Sequence, residues 1–297
     1  MTKSKYISSI LGVLFIGVFA IEAAHADQPC NGAKGKYHPN GGGFVADTAS
    51  VRPFVYVGPN ASICDHAMVW DAVRVNDHAI VTGDAQVKGN VIISDHAKIS
   101  GHTRLFQRVE VSGNAEISGH AILRDSAFVG DYAKVTDDAL IDHDAKIFGK
   151  ATVGGKAQVI AYSQVYGNAK IFESALIAGY SEVYDDAKVY GEGIVAGYAL
   201  VYGHAEVFGE SSVDGEADVF GDAHITGKAL VDFKARVCNG VVETTVSKDI
   251  CKIQHETQAD SSLEKTNVFD RPRDSSPLIN KQLITTNKQV TSNTISR

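Results

Sequence analysis

The sequence predicts an all-β fold, a parallel β-solenoid built from triangular coils of eighteen residues. An aliphatic residue recurs at every sixth position from Val51 to Val237, and each member of the series is Val, Ile or Leu. A small residue precedes most of these by two positions, and Gly or Asp usually follows by two. Aromatic residues also repeat at eighteen-residue spacing, in three series: Phe148, Tyr166, Tyr184, Tyr202 and Phe220; Tyr162, Tyr180 and Tyr198; and Phe172, Tyr190 and Phe208.

Each six-residue unit has the chemistry of one short strand and one corner. The order small–x–aliphatic places both apolar side chains on one face of an extended strand. Gly, Asp and Asn tolerate the left-handed backbone that a tight corner needs. Because like side chains recur every three units, three strands complete one coil and the next coil stacks on it in register. The repeat region has room for about eleven coils, each rising roughly 4.8 Å.

The two ends of the chain differ from the repeat. A basic start, "MTKSK", an apolar run and "AHA" at 24–26 predict a signal peptide over residues 1–26, and hence an exported protein, periplasmic or extracellular. No second apolar run is long enough to span a membrane. We expect an N-terminal cap at 27–43, the solenoid at 44–240 and a C-terminal cap at 241–256. The polar segment 257–297 is expected to be a disordered tail or an extended arm.

The four cysteines lie in two groups, one at each end of the repeat: Cys30 with Cys64, and Cys238 with Cys251. Four cysteines allow three pairings, which the sequence does not distinguish. In an oxidising compartment, pairing within each group would clamp both ends of the solenoid, and this is our hypothesis. The absence of a Cys-x-x-Cys motif disfavours a zinc site made by these residues.

Several units resemble a known repeat. "VYGNAK" at 165–170 and "VFGDAH" at 219–224 are similar to the hexapeptide repeat of left-handed parallel β-helix proteins, the superfamily of bacterial hexapeptide acyltransferases. "VGPNAS" at 57–62 has the usual form, whereas most units place Gly one position later. That variant, with the entry "NGGGFVADTASV" at 40–51, resembles poorly characterised members with V-x-G-x-A units. The resemblance covers residues 44–240 and implies a left-handed coil.

One face of the predicted prism carries apolar residues that point outward as well as inward. A face that is apolar on both sides is usually covered, and in the resembled acyltransferases such faces pack three prisms around an axis. We therefore expect a homo-oligomer, with a trimer favoured, although the C-terminal segment folding back is an alternative. The predicted interface residues are Met68, Trp70, Phe106, Ile122, Leu140, Ile160, Leu176 and Ile194.

A second face carries an aromatic ladder at eighteen-residue spacing. It either binds a carbohydrate through its rings or simply stabilises the stacking of the coils. The residues of this candidate binding surface are Phe148, Tyr166, Tyr184, Tyr202 and Phe220. The third face alternates Lys and Glu between coils, which is typical of a solvated surface with weak ion pairs.

Histidines form two predicted pairs at eighteen-residue spacing, His78 with His96 and His102 with His120. They are candidates for a metal site, because the β-helical carbonic anhydrases bind zinc through three histidines between two subunits. One of those histidines precedes another by five residues, whereas His96 and His102 are six apart. His also shares the corner preference of Asn and Asp, so the sequence favours no metal and no cofactor.

The uninterrupted six-residue repeat is evidence against a catalytic function. The resembled acyltransferases interrupt the prism with a loop near a histidine that acts as general base, and this chain has no interruption from Val51 to Val237. His102 or His120 could act as a base only at a subunit boundary. The net charge of -7 does not suggest a nucleic-acid partner. The sequence thus favours an exported, non-catalytic scaffold that presents flat faces for self-assembly or for a carbohydrate or envelope partner. An acyltransferase-like or carbonic anhydrase-like enzyme is the alternative.

Overall fold

The computed structural model describes residues 29–251 and shows a parallel β-solenoid, as predicted. The predicted signal peptide, the first two residues of the predicted N-terminal cap, the last part of the predicted C-terminal cap and the predicted tail lie outside the described residues. A short 3-10 turn at Pro29–Gly32 precedes β1 (Gly35–Tyr37), which pairs antiparallel with β2 (Phe44–Ala46). Every later strand pairs in parallel with the strand one coil away, as in Ile92 opposite Glu110.

The solenoid has three faces. Face 1 is an eleven-stranded sheet of β3 (Ser50–Val51), β6 (Met68–Trp70), β9 (Gln86–Gly89), β12 (Arg104–Gln107), β15 (Ile122–Leu123), β18 (Leu140–Ile141), β21 (Gln158–Val159), β24 (Leu176–Ile177), β27 (Ile194–Val195), β30 (Ser212–Val213) and β32 (Leu230–Val231). Face 2 contains β4 (Tyr56–Val57), β7 (Arg74–Val75), β10 (Ile92–Ile93), β13 (Glu110–Val111), β16 (Phe128–Val129), β19 (Lys146–Ile147), β22 (Gln164–Val165), β25 (Glu182–Val183), β28 (Leu200–Val201), β31 (Asp218–Ile225) and β33 (Arg236–Val242). Face 3 contains β2, β5 (Ser62–Ile63), β8 (Ile80–Val81), β11 (Lys98–Ile99), β14 (Glu116–Ile117), β17 (Lys134–Val135), β20 (Thr152–Val153), β23 (Lys170–Ile171), β26 (Lys188–Val189), β29 (Glu206–Val207) and the ends of β31 and β33.

The interior contains the two apolar residues of each unit, closely packed. Aliphatic residues such as Ile99, Leu123 and Ile171 are fully buried, and so are the alanines two positions before the aliphatic residues. Serine replaces alanine at a few of these small positions. There its hydroxyl donates to a backbone carbonyl, as from Ser181 to Ala178 at 2.8 Å. This satisfies the buried hydroxyl, so a polar residue fits without disturbing the core.

The corners need a left-handed backbone. Gly101 has φ 72°, and a Cβ there would lie 2.6 Å from the carbonyl oxygen of Gly119 in the next coil. Asp occupies the same position in many other coils, where its carboxylate accepts a hydrogen bond from the amide one coil later. Asp95 accepts in this way from Gly113 at 2.8 Å. The corner aspartates therefore join successive coils, in addition to tolerating the backbone conformation.

Both ends are fixed covalently by the hypothesised disulfides, Cys30–Cys64 and Cys238–Cys251, with Cα–Cα distances of 5.3 and 5.6 Å.

The last coil is irregular. The strand pairing of β31 and β33 continues through the corner between faces 2 and 3, and their register changes, so that Ile225 pairs with Val242 rather than with a residue eighteen positions later. The repeat of six thus ends at Val237, as the sequence indicates, and a shortened coil closes the described solenoid.

Candidate functional site

The outer surface of face 1 is apolar along much of its length. The eight predicted interface residues all lie on this face, at the outer side of the sheet or immediately after a strand, and all are half-buried. The apolar surface is most continuous from Ile122 onward. In the earlier coils it is interrupted by Gln86, Lys88 and Arg104. Face 1 therefore has two sections of different chemistry.

The predicted aromatic ladder forms on face 2. Its five rings stack in parallel with centroids 4.8 to 5.1 Å apart. The Tyr166 hydroxyl donates to Glu182 at 2.8 Å. Burial raises the pKa of Tyr166, and this carboxylate raises it further. Because each inner ring is covered on both faces by its neighbours, a ligand can reach the edges and hydroxyls of these rings but not their faces.

Two further ladders accompany the first. Phe172, Tyr190 and Phe208 stack at 4.9 Å beside face 3, where the Tyr190 hydroxyl donates to Glu206 at 3.0 Å. Tyr162, Tyr180 and Tyr198 stack on the corner after face 1, with 52, 51 and 62% of their surface exposed. The sequence shows all three ladders. The most exposed is the one whose residues occupy the turn rather than the position directly after the buried aliphatic residue.

The histidine pairs also form. His78 stacks on His96 and His102 on His120, with ring centroids 5.0 and 5.1 Å apart. In the second pair, each Nδ1 lies near a corner carboxylate: His102 is 3.4 Å from Asp84, and His120 is 3.6 Å from Asp138. These side chains are more than half exposed. The arrangement is a surface row in which two stacked imidazoles lie between two carboxylates, joined by exposed contacts that contribute little to stability.

A polar cluster that the sequence analysis overlooked lies on the corner after face 1. Asp142 is nearly fully buried, and its carboxylate accepts from Arg124 at 2.6 Å and from the backbone amide of His143 at 2.8 Å. Burial raises the pKa of Asp142, but these hydrogen bonds outweigh it and hold the pKa below its usual range. Among residues 29–251, Asp125, Asp142 and His143 are the group whose possible metal-ligand atoms approach within 4.8 Å. The Arg124 guanidinium already neutralises the buried carboxylate, so the cluster is accounted for as an ion pair.

The part of the chain that the structure describes contains no helix long and apolar enough to cross a membrane. The two disulfides indicate an oxidising environment, which is compatible with export. No protein-family model matches the sequence, and no curated protein is significantly similar to it. Arguments about function therefore start from the surface of the solenoid itself.

Proposed function

We propose that this protein is an exported, non-catalytic scaffold whose β-solenoids associate with one another through face 1. The observation that carries the proposal is the row of half-buried apolar side chains on the outer surface of that face, in particular Ile122, Leu140, Leu176 and Ile194. Ile122 lies opposite Leu140, and Leu176 lies opposite Ile194. The exposed Gln158 lies between these two pairs, and the half-buried Ile160 follows two residues later. Together these side chains form an apolar strip that Gln158 interrupts, and apolar surface of this kind is typical of an interaction surface.

The apolar section of face 1 is large enough for a small contact. The seven strands from β15 to β32, spaced about 4.8 Å apart, make a sheet roughly 30 Å long. With a strand and its flanking corners about 15 Å across, this section offers on the order of 450 Å² per partner, at the low end of specific interfaces. The surface is also rigid, because disulfides fix its ends and hydrogen bonds join its coils. Little conformational entropy is therefore lost on association.

A second copy of the chain is the occupant we favour, because closed symmetric assemblies are the commonest use of an apolar face. The trimer implied by the hexapeptide-repeat resemblance would bury the section of face 1 from Ile122 onward around the three-fold axis. The regular corners support a structural rather than a catalytic role, since they leave this section of the prism without a loop over its surface.

The test is the solution mass of the exported chain with its disulfides intact, measured by light scattering after size exclusion. We expect the wild-type protein to have a multiple of the monomer mass. Leu176→Asp and Ile194→Asp should reduce it to the monomer with unchanged β-sheet content, because each places a charge in the strip. Ile92→Asp is the matched control, since Ile92 is an outward-facing aliphatic residue of face 2 and is 39% exposed. A monomeric wild-type protein, or dissociation by the control alone, would overturn the proposal.

A further inference from the structure

The N-terminal section of face 1 contains a groove that differs from the apolar strip. β9 and β12 are four residues long, and they pair from Gln86 opposite Arg104 to Gly89 opposite Gln107. The sheet therefore continues into the corner in these two coils, instead of turning after two residues. A shallow cavity of about 380 Å³ lies there, lined by Asp71, Lys88, Gly89, Phe106, Gln107 and Arg124.

Cationic and aromatic side chains alternate along this groove over five successive coils. Each follows directly after a residue of the inward-facing aliphatic series, so all of them point outward. In chain order the column is Arg52, Trp70, Lys88, Phe106 and Arg124. The pairing confirms its register, since Trp70 lies opposite Lys88, and Lys88 opposite Phe106. Both the cations and the rings thus repeat every two coils, or roughly 10 Å.

The rings of this column differ from those of the ladders. Trp70 and Phe106 stack on no other ring among residues 29–251, because a lysine or an arginine occupies the adjacent coils. Both are half-buried, which fixes the rings without covering them completely. The exposed parts of these two rings can therefore contact an apolar surface such as the C–H face of a sugar ring.

Several cations in and beside the groove have no protein counterion. Arg52, Lys88 and Arg104 are exposed and form no ion pair within the described chain, and Arg108 beside the groove donates only to Ser126. Some lysines of face 3 instead pair with a glutamate one coil away, as Lys134 does with Glu116 at 3.0 Å and Lys188 with Glu206 at 2.8 Å. Groups that lack a protein counterion can bind an external anion, and Arg124 retains donors beyond those it uses for Asp142.

Uncharged donors and acceptors complete the groove. The Gln107 side-chain oxygen accepts from the Asp125 amide at 2.8 Å, which fixes the side chain and leaves its NH₂ group free to donate. The Asp71 carboxylate at one end can accept from hydroxyl groups. A simple polyanion would need only the cations. A ligand that carries hydroxyls, apolar ring faces and negative charges would use all of these groups.

We propose that the column from Arg52 to Arg124 and its groove bind an extended acidic polysaccharide. Sugar rings would lie against Trp70 and Phe106, and carboxylate or sulfate groups would pair with Lys88 and the flanking arginines. The two-coil repeat is close to the length of a disaccharide unit in an extended chain. This inference does not depend on self-association, because the groove occupies coils in which charged residues interrupt the apolar strip.

The test is titration of the disulfide-intact full chain, after signal removal, with a polyuronate, a sulfated dextran and uncharged dextran. We expect the polyuronate or the sulfated dextran to bind and uncharged dextran not to bind, with affinity falling as salt is added. Which of the two binds more tightly identifies the anionic group. Lys88→Glu and Phe106→Ala should each weaken binding by roughly tenfold or more. Lys98→Glu on face 3 and Phe128→Ala on face 2 are the matched controls and should bind like the wild type.

Three results would overturn the inference: no binding of either acidic polysaccharide, equal loss in the control variants, or unchanged binding by Phe106→Ala. Equal affinity for a single-stranded oligonucleotide or for polyphosphate would also contradict it, because it would show recognition of charge alone.

Repeating the titration with Leu176→Asp separates the two proposals. If that variant is monomeric and still binds, the groove works without assembly. If the wild type is monomeric and binds, only the assembly proposal fails.

Discussion

The coils before about residue 145 and the coils after it share one backbone but carry different surfaces. In the first half, the left-handed corner position is often Asp, as at Asp77, Asp95 and Asp131, whereas Gly predominates in the second half. The first half has the histidine pairs, the alternating cationic column and the buried Asp142. The second half has the three aromatic ladders. The backbone pairing nevertheless keeps its eighteen-residue register across both halves.

This difference shows which positions determine the fold. The interior needs a small and an aliphatic residue in each unit, and the corner needs a residue that accepts positive φ. The other positions lie on the outer side of the coil and tolerate a wide range of side chains. Asp and Gly are interchangeable for the backbone, but only Asp also bonds to the next coil. The surface of each half can therefore specialise without changing the fold, and we place binding in the first half and association mainly in the second.

The largest loss of stability should come from substitutions in the interior, where the two halves are equivalent. Ile99→Ala and Ile171→Ala each remove a fully buried side chain from face 3, one in each half. We expect each change to destabilise the protein by about 2–5 kcal/mol, because it removes apolar contacts and leaves a cavity. Chemical denaturation, combined with amide hydrogen exchange to locate the affected coils, measures both. A much smaller loss in one half would show that the two interiors are not equivalent.

The next largest loss of stability should arise in the first half alone, at the buried Asp142. Asp142→Asn keeps the shape of the side chain but removes the charge that faces Arg124, and we expect a loss of about 1–3 kcal/mol at neutral pH. Asp138→Asn is the control, since Asp138 has a 59% exposed side chain and a long contact with His120. Its loss should be close to zero.

The pH dependence of the Asp142→Asn difference checks its cause. The pKa of Asp142 is lower in the folded protein than in the unfolded chain, so its charge stabilises the protein above the unfolded pKa of about 4. That contribution disappears as the pH falls through the folded pKa. The difference between wild type and Asp142→Asn should therefore shrink below about pH 4. A difference that stays constant through this range would attribute the loss to packing instead of charge.

Much of the fold could be predicted from the sequence because the solenoid is locally encoded. Each coil contacts only its neighbours, so a spacing of eighteen places residues together without knowledge of distant parts of the chain. The three ladders, the two histidine pairs and the grouping of the cysteines followed from spacing alone. The spacing of residues does not reveal a corner that has the usual number of residues but a different backbone shape. The extension of β9 and β12 was therefore not predicted.

The groove and the Asp142 cluster were missed for another reason. Arg124 and Asp142 are eighteen residues apart, and so are Trp70, Lys88 and Phe106 in turn. These spacings are visible in the sequence, but the predicted interface included only the apolar residues Trp70 and Phe106 and left out Lys88, the cation between them. How exposed a ladder is depends on the position that its residues occupy within the six-residue unit. That position could have distinguished the Tyr162 ladder from the Tyr166 ladder.

The smallest loss of stability should come from a substitution in the second half, where the hydroxyl of a ladder tyrosine donates a hydrogen bond to a carboxylate. Burial, followed by the hydrogen bond to Glu206, raises the pKa of Tyr190 to about 12. Since the protonated phenol is favoured in the folded state, its contribution is fully present below the unfolded pKa of about 10 and is lost as the pH rises towards 12. Tyr190→Phe keeps the stacked ring but loses the hydrogen bond, so it should cost about 0.5–1.5 kcal/mol at neutral pH.

The comparison with an exposed ladder shows whether that hydroxyl or the stacking matters. Tyr180→Phe removes a hydroxyl from a ring that is 51% exposed, and stability at neutral pH should not change measurably. Thermal melts at pH 7 and at pH 11 measure both variants against the wild type. The deficit of Tyr190→Phe should be smaller at pH 11, because the wild type has by then begun to lose the same contribution. Equal melting temperatures for wild type and Tyr190→Phe at pH 7 would mean that the ladders stabilise the coils through their rings alone.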